Sequence, residues 1–143
     1  MKHHVEKTGT ILLALAKGEK LKESLLKIVR EYNIQSAKIT GIGALLDPEL
    51  GVFDTKAKKY DKHILTGLWE LISLNGNVSI VNGERFLHLH AALGAPDFSV
   101  KGGHLFESEI GIMAEIFIEP LPTPLHREKV EEFDLYSWDP GHK

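Results

Sequence analysis

Apolar residues recur in this chain with two different periods. Between residues 21 and 32 they follow the spacing of an amphipathic helix, which we predict over residues 19–32. Elsewhere, short alternating or continuous apolar runs are separated by turn-forming Gly, Asn and Pro, which is typical of strands joined by tight connections. The predicted strands cover residues 10–16, 36–42, 50–54, 60–65, 69–74, 78–81, 86–93, 104–107 and 111–119.

One helix near the N-terminus followed by strands joined at hairpin scale predicts an α+β fold with a mostly antiparallel, mixed sheet. The length of 143 residues fits a single domain. The Asn-Gly-Asn segment at 75–77 is either a hairpin turn or a bulge within one long strand. The apolar run at 111–119 is either buried on both faces or part of an interface. Beyond the prolines of 121–124, we expect the tail at 126–143 to contain a helical turn and an aromatic segment.

Composition and charge exclude several classes of function. The chain has no cysteine, which removes thiolate metal sites, redox dithiols and cysteine nucleophiles. Its formal net charge is -3, opposite in sign to the basic surface of a typical nucleic-acid-binding domain. Lys56, Lys58 and Lys59 form one small basic cluster, which is either solvated surface or a contact for DNA phosphates. No apolar run approaches the ~20 residues of a membrane span, and no signal-peptide pattern is present, so we expect a cytoplasmic protein.

Three histidines carry the clearest candidate chemistry. His88 and His90 stand two residues apart in an alternating run, so a strand places both imidazoles on one face. A turn follows at 94–97, and a hairpin centred on Asp97 would put His90 opposite His104, with His88 diagonal to it. A shift of one residue would send His104 to the other face. Three imidazoles on one face predict a Zn²⁺ site with one open position, and the alternative is an exposed polar strand face.

Two glutamates lie in otherwise apolar strands. Glu70 and Glu115 are weak candidates for a catalytic general base in a hydrolysis reaction. The simpler interpretation is a structural ion pair, with Arg85 as one possible partner, or an outward-facing side chain.

Six segments follow one another along the chain: TGIGA (40–44), LGVFD (50–54), ELISLNGNV (70–78), FLHLH (86–90), GGHL (102–105) and AEIFI (114–118). As an ordered set they resemble the PPC domain (plants and prokaryotes conserved domain, also called DUF296) in its stand-alone prokaryotic form. The resemblance covers about residues 8–120. On this basis we assign residues 1–143 to one PPC-like domain, with a core at about 8–120 and a C-terminal tail at 121–143.

The resemblance implies an α+β fold with an antiparallel sheet, a homotrimer, and a DNA-binding or transcription-related role. It also implies that His88, His90 and His104 occupy the positions that are expected to bind a metal in the prokaryotic form. The chain departs from plant members in two places: it has no Arg-Gly-Arg AT-hook, and residues 67–71 read Gly-Leu-Trp-Glu-Leu where plant members carry Gly-Arg-Phe-Glu-Ile.

Three functional hypotheses are open at this stage. The first is a trimeric, metal-binding PPC-domain protein with a regulatory or ligand-binding role, and with DNA or another protein as its partner. The second is a small zinc-dependent, hydrolase-like enzyme, which would need a carboxylate beside the metal. The third is direct DNA binding through a basic face assembled in the trimer. The sequence leaves open whether the protein is an enzyme.

Overall fold

The computed structural model describes residues 1–139 and 141. Its elements are β1 (Lys2–Val5), β2 (Ile11–Ala16), α1 (Leu21–Glu31), β3 (Ala37–Asp54), β4 (Lys59–Ile64), β5 (Leu68–Val81), β6 (Glu84–Gly94), β7 (Val100–Pro120), β8 (His126–Val130) and β9 (Leu135–Asp139). One short helix and a mostly antiparallel sheet in a single domain confirm the predicted fold class.

Four strands close into a ring. β3 pairs with β5, β5 with β6, β6 with β7, and β7 with β3, all antiparallel. β1 and β2 extend the sheet from β7, and β4 pairs with the second half of β3. The β8–β9 hairpin joins β5 through one parallel pair, Ile80 with His126, which makes the sheet mixed.

The helix α1 covers the sheet with one apolar face. Leu21, Leu25, Ile28 and Val29 are buried at helical spacing, and the helix packs mainly on β7. It is two residues shorter at its start and one shorter at its end than the helix predicted from sequence. Asn33, whose φ is 50°, follows the last turn and redirects the chain, a conformation that asparagine tolerates better than most residues.

Two predictions of local structure were wrong, and the structure decides between the two alternatives left open at a third position. The predicted strands 36–42 and 50–54 are both part of β3, and the register shifts around Gly43. Of the two alternatives for residues 75–77, one long strand is observed, since β5 runs through them, with its irregularity in pairing with β6 at residues 71–73. A Cβ on Gly76 would lie 2.3 Å from the carbonyl oxygen of His88, so this glycine permits close strand pairing. The prediction of a helical turn in the tail at 126–143 was also wrong, because residues 126–139 form a hairpin; residues 140, 142 and 143 lie outside the described part.

The strand at 111–119 is buried on one face only. Ala114, Ile116 and Ile118 belong to the core, whereas Met113 and Phe117 are about half exposed. Met113 lies in a shallow depression with three further apolar side chains from three strands. We call this set the apolar patch, and its members, each 50–55% exposed, are Ile42, Ile72, Ile112 and Met113. Within the described part of the chain, no helix is long and apolar enough to cross a membrane.

Candidate metal centre

The β6–β7 hairpin brings the three histidines together. Its register pairs His90 with His104, which confirms the register predicted around Asp97. The turn is held by Asp97, whose Oδ1 accepts hydrogen bonds from the Ser99 backbone N–H at 2.9 Å and the Ser99 hydroxyl at 2.6 Å. Because the turn fixes the register and the register fixes the face, a local sequence feature determines the site.

The three imidazoles lie at the spacing of a metal ligand set. One ring nitrogen from each of His88, His90 and His104 lies within 4.8 Å of the other two. The Nε2 atoms of His88 and His90 are 3.1 Å apart, and the ring centroids are separated by 5.0 to 5.4 Å. His90 is exposed, His88 is intermediate and His104 is 7% exposed, so the set extends from the surface to the interior.

Burial and neighbouring positive charge keep two of these rings neutral. Desolvation, followed by Arg127 and His90, lowers the pKa of His88 from 6.5 to about 4. Desolvation, followed by His88 and His90, lowers the pKa of His104 to about 4 as well. Neutral imidazole is the form that ligates a metal, so both side chains are available as ligands at pH 7.

The Nδ1 atom of His104 supplies an independent indication that the site takes a ligand. It is buried and has no hydrogen-bond partner within the described part of the chain. Buried polar atoms are normally paired, and a lone unpaired one calls for a specific explanation such as an ion. The donor set of three imidazoles fits a borderline-soft divalent ion, so the residues present fit a metal.

A buried arginine from the tail stands beside the histidines. Arg127, on β8, donates from Nη2 to His88 Nδ1 at 3.1 Å and to Asn77 Oδ1 at 3.0 Å. Its Nε donates to the Ser79 hydroxyl at 2.7 Å, and its Nη1 donates to the Tyr136 carbonyl at 2.8 Å. Sequence analysis missed this residue, because only the long-range pairing of β8 with β5 places it next to the site.

A cavity of about 300 Å³ opens next to the histidines. Its walls come from α1, β4, β6, β7 and the β8–β9 hairpin. It is lined by Lys22, Tyr60, Phe86, His88, His104, Phe106, Arg127, Asp134, Leu135 and Tyr136. Phe106 and Tyr60 stack near His104, at ring-centroid distances of 4.6 and 5.0 Å. Burial raises the pKa of Tyr60, so its phenol stays protonated at neutral pH. The cavity therefore places aromatic surface next to two of the three histidines.

The sequence profile of the Plants and Prokaryotes Conserved (PCC) domain, written PPC above, matches residues 3–122. This chain belongs to that family. No curated protein matches the sequence significantly.

Solved structures of other PPC-fold proteins are similar over nearly the whole chain. A PPC protein from Pyrococcus horikoshii is 36% identical, with 96% of this chain and 94% of that chain covered and a TM-score of 0.85. A metal-containing protein from Archaeoglobus fulgidus is 35% identical, with 96% of both chains covered and a TM-score of 0.85. A Bacteroides thetaiotaomicron protein whose name proposes DNA binding is 26% identical, with coverages of 99% and 98% and a TM-score of 0.93.

The other candidate residues of this PPC domain lie away from the histidines. Glu70 and Glu115 are exposed, line the depression of the apolar patch, and are absent from the lining of the histidine cavity. Arg85 does not pair with either of them, since it donates to the Ile34 carbonyl and to Asn33.

The basic cluster of this PPC domain occupies an exposed turn. Lys56, Lys58 and Lys59 lie at the β3–β4 connection. Asp54 caps this turn, because its Oδ1 accepts the backbone N–H groups of residues 56 and 57 at 2.8 and 3.0 Å.

Proposed function

We propose that this protein is a metal-binding PPC domain whose three-histidine site holds one Zn²⁺ per chain and recognises a small molecule. The observation that carries the proposal is the buried, unpartnered Nδ1 of His104 within the histidine cluster. The name of the Archaeoglobus fulgidus relative adds support, because that protein contains a metal.

Zinc is the metal that best suits the residues. Imidazole binds Zn²⁺ well, and the site offers neither the soft thiolates that select copper(I) nor the all-oxygen shell that selects Mg²⁺ or Ca²⁺. His88, His90 and His104 would hold the ion, leaving one position free for a ligand from the cavity. A bound Zn²⁺ would supply Lewis acidity and positive charge at that position.

Elemental analysis of purified protein tests this proposal. We expect about one equivalent of divalent metal per wild-type chain and none in the variant with His88, His90 and His104 all replaced by Ala. A matched control replaces His63, an exposed histidine on β4, and should retain the metal. Equal metal content in the wild type and the triple variant would overturn the proposal.

The hydrolase-like alternative has less support. It requires a carboxylate free to act as a base beside the metal. Glu70 and Glu115 do not line the cavity, and the Oδ1 of Asp134, which does, accepts a hydrogen bond from Lys129 at 2.9 Å. We therefore favour ligand binding with a regulatory role over hydrolysis.

We further propose that the chain assembles as a homotrimer through the apolar patch. Its four aliphatic or thioether side chains form a contiguous exposed surface, and contiguous exposed apolar surfaces mark interaction sites. Closed cyclic symmetry is the rule for such homo-oligomers.

DNA binding is proposed only in a weak, sequence-indifferent form. The names of relatives from Bacteroides thetaiotaomicron and Ralstonia eutropha propose that those proteins bind DNA. In this chain, 17 Lys and Arg stand against 20 Asp and Glu. The turn that carries Lys56, Lys58 and Lys59 is the phosphate contact we expect, repeated three times in a trimer.

A further inference from the structure

Arg127 is a buried cation without an anionic partner among residues 1–139 and 141. Its side chain is 9% exposed, and the groups that accept its hydrogen bonds are all neutral: a hydroxyl, a carbonyl, an amide and an imidazole. None of the ion pairs formed by the described residues includes it. A buried charge is costly unless a counter-charge or a dense hydrogen-bond network compensates it.

The guanidinium lines the cavity and has one N–H without a partner among the described residues. Arginine carries five N–H donors, and four of them are engaged, which leaves the second N–H of Nη1. A carboxylate accepts such an N–H in a charge-assisted hydrogen bond and at the same time supplies the missing counter-charge.

The other residues that line the cavity favour a small ligand with an apolar body. Phe86, Phe106 and Tyr60 present aromatic surface, and the volume of about 300 Å³ is at the small end for ligand sites. Lys22 at the same cavity adds positive charge, and the Asp134 carboxylate in the lining is paired with Lys129. An inorganic phosphate has more acceptor oxygens than Arg127 and Lys22 can satisfy. It would also make no apolar contact with the aromatic side chains of the cavity.

We propose that this cavity binds a small monocarboxylic acid with an aromatic or similarly apolar body, whose carboxylate contacts Arg127 beside the histidines. The inference rests on the proposed function, since the metal would supply the second positive charge facing the carboxylate. It adds the chemical class of the ligand and assigns its charge recognition to Arg127.

Benzoate and benzamide form a matched pair of probes, because they share size and ring and differ in charge. Calorimetric titration of metal-loaded wild-type protein should show benzoate binding at least about tenfold more tightly than benzamide, as charge-assisted hydrogen bonds contribute more than neutral ones. Arg127→Gln, loaded to the same metal content, should diminish this preference, because Arg127 supplies one of the positive charges that attract the carboxylate. Arg85→Gln, which changes an arginine outside the cavity, should leave it intact.

Several results would overturn the inference. They are equal affinity for benzoate and benzamide, no binding of benzoate, or an undiminished benzoate preference in Arg127→Gln. If Arg127→Gln fails to fold by circular dichroism, the comparison of the two probes on the wild type decides alone. Wild-type protein that takes up no metal overturns the proposed function, whereas metal-loaded protein without the charge preference overturns only this inference.

Discussion

The histidine cavity and the apolar patch depart from ordinary burial in opposite directions. At the cavity, an imidazole and a guanidinium are buried. At the patch, four large apolar side chains are half exposed. A buried polar group and an exposed apolar cluster are the two informative exceptions to the rule that apolar residues lie inside.

The difference between the two regions indicates what kind of partner completes each. Buried polar atoms with spare capacity gain most from an ion or a small charged molecule, which supplies directed contacts. Exposed apolar side chains gain from a second protein surface, because removing about 1 Å² of apolar area from water is worth roughly 25 cal/mol without any directed contact. The variants below alter one region and leave the other unchanged.

The largest effect we expect is the loss of metal affinity on single substitution of His104. We expect His104→Ala to lower metal affinity by more than the roughly 10–100-fold loss caused by removing an outer-shell partner, since a ligand itself is lost. His88→Ala should act similarly. Competition with a chromophoric chelator measures the affinity, and His63→Ala serves as the control. Unchanged affinity in both cavity variants would mean that the ion is held elsewhere.

A charge in the apolar patch should separate the subunits without affecting the metal. Met113→Glu places three like charges at the interface of a trimer, where burying each of them is costly. Light scattering should give about three times the chain mass of 16.0 kDa for the wild type and the single-chain mass for the variant. Ile64→Glu, on an exposed apolar residue of β4, is the matched control. A wild-type mass of one chain at micromolar concentration would contradict the trimer.

Acid should destabilise the metal-free protein through the cavity. The pKa values of His88 and His104 are about 4 in the folded chain against an ordinary 6.5. Between these values the unfolded chain binds more protons, so the free energy of unfolding falls as pH is lowered from 6.5 to 4. Denaturant titrations should show a smaller fall in His104→Gln. Identical pH dependence in the two proteins would show that this imidazole does not titrate as described.

The smallest effect is expected at the Lys56–Lys59 turn. Wild-type protein should bind duplex DNA weakly and without sequence preference at about 150 mM salt, where specific complexes typically reach 10⁻⁸ M or tighter. Replacing Lys56, Lys58 and Lys59 by Gln should make the affinity for DNA depend less on salt than in the wild type, because fewer phosphates are neutralised. Gel-shift titration with competitor DNA measures both, and nanomolar binding to one sequence would contradict this expectation.

The sequence predicted the histidine cluster because the determinants are local. The turn at Asp97 and the alternation of residues 86–93 set both register and face, and the hairpin follows them. The fold class could be predicted for a similar reason, since one helical period among many short strand periods allows few architectures.

Arg127 and the length of the strands could not be predicted, because tertiary pairing determines both. Gly43 and Gly76 look like strand ends in isolation, yet a neighbouring strand passes so close that only glycine fits. Arg127 reaches the cavity through the pairing of Ile80 with His126, two residues far apart in the chain. The buried arginine was therefore missed, although it is one of only three arginines in the sequence.

The pairing of β2 with β7 has a consequence for how the chain is made. Ile11 lies opposite Ile118, more than 100 residues later, and β3 also depends on β7 along most of its length. During synthesis at about 5–20 residues per second, β2 and β3 therefore remain without their partner for several seconds, until β7 leaves the ribosome. Contacts of such high sequence separation are associated with slow folding. We therefore expect the nascent N-terminal half, whose apolar strands are unpaired, to be the stage of synthesis most exposed to aggregation.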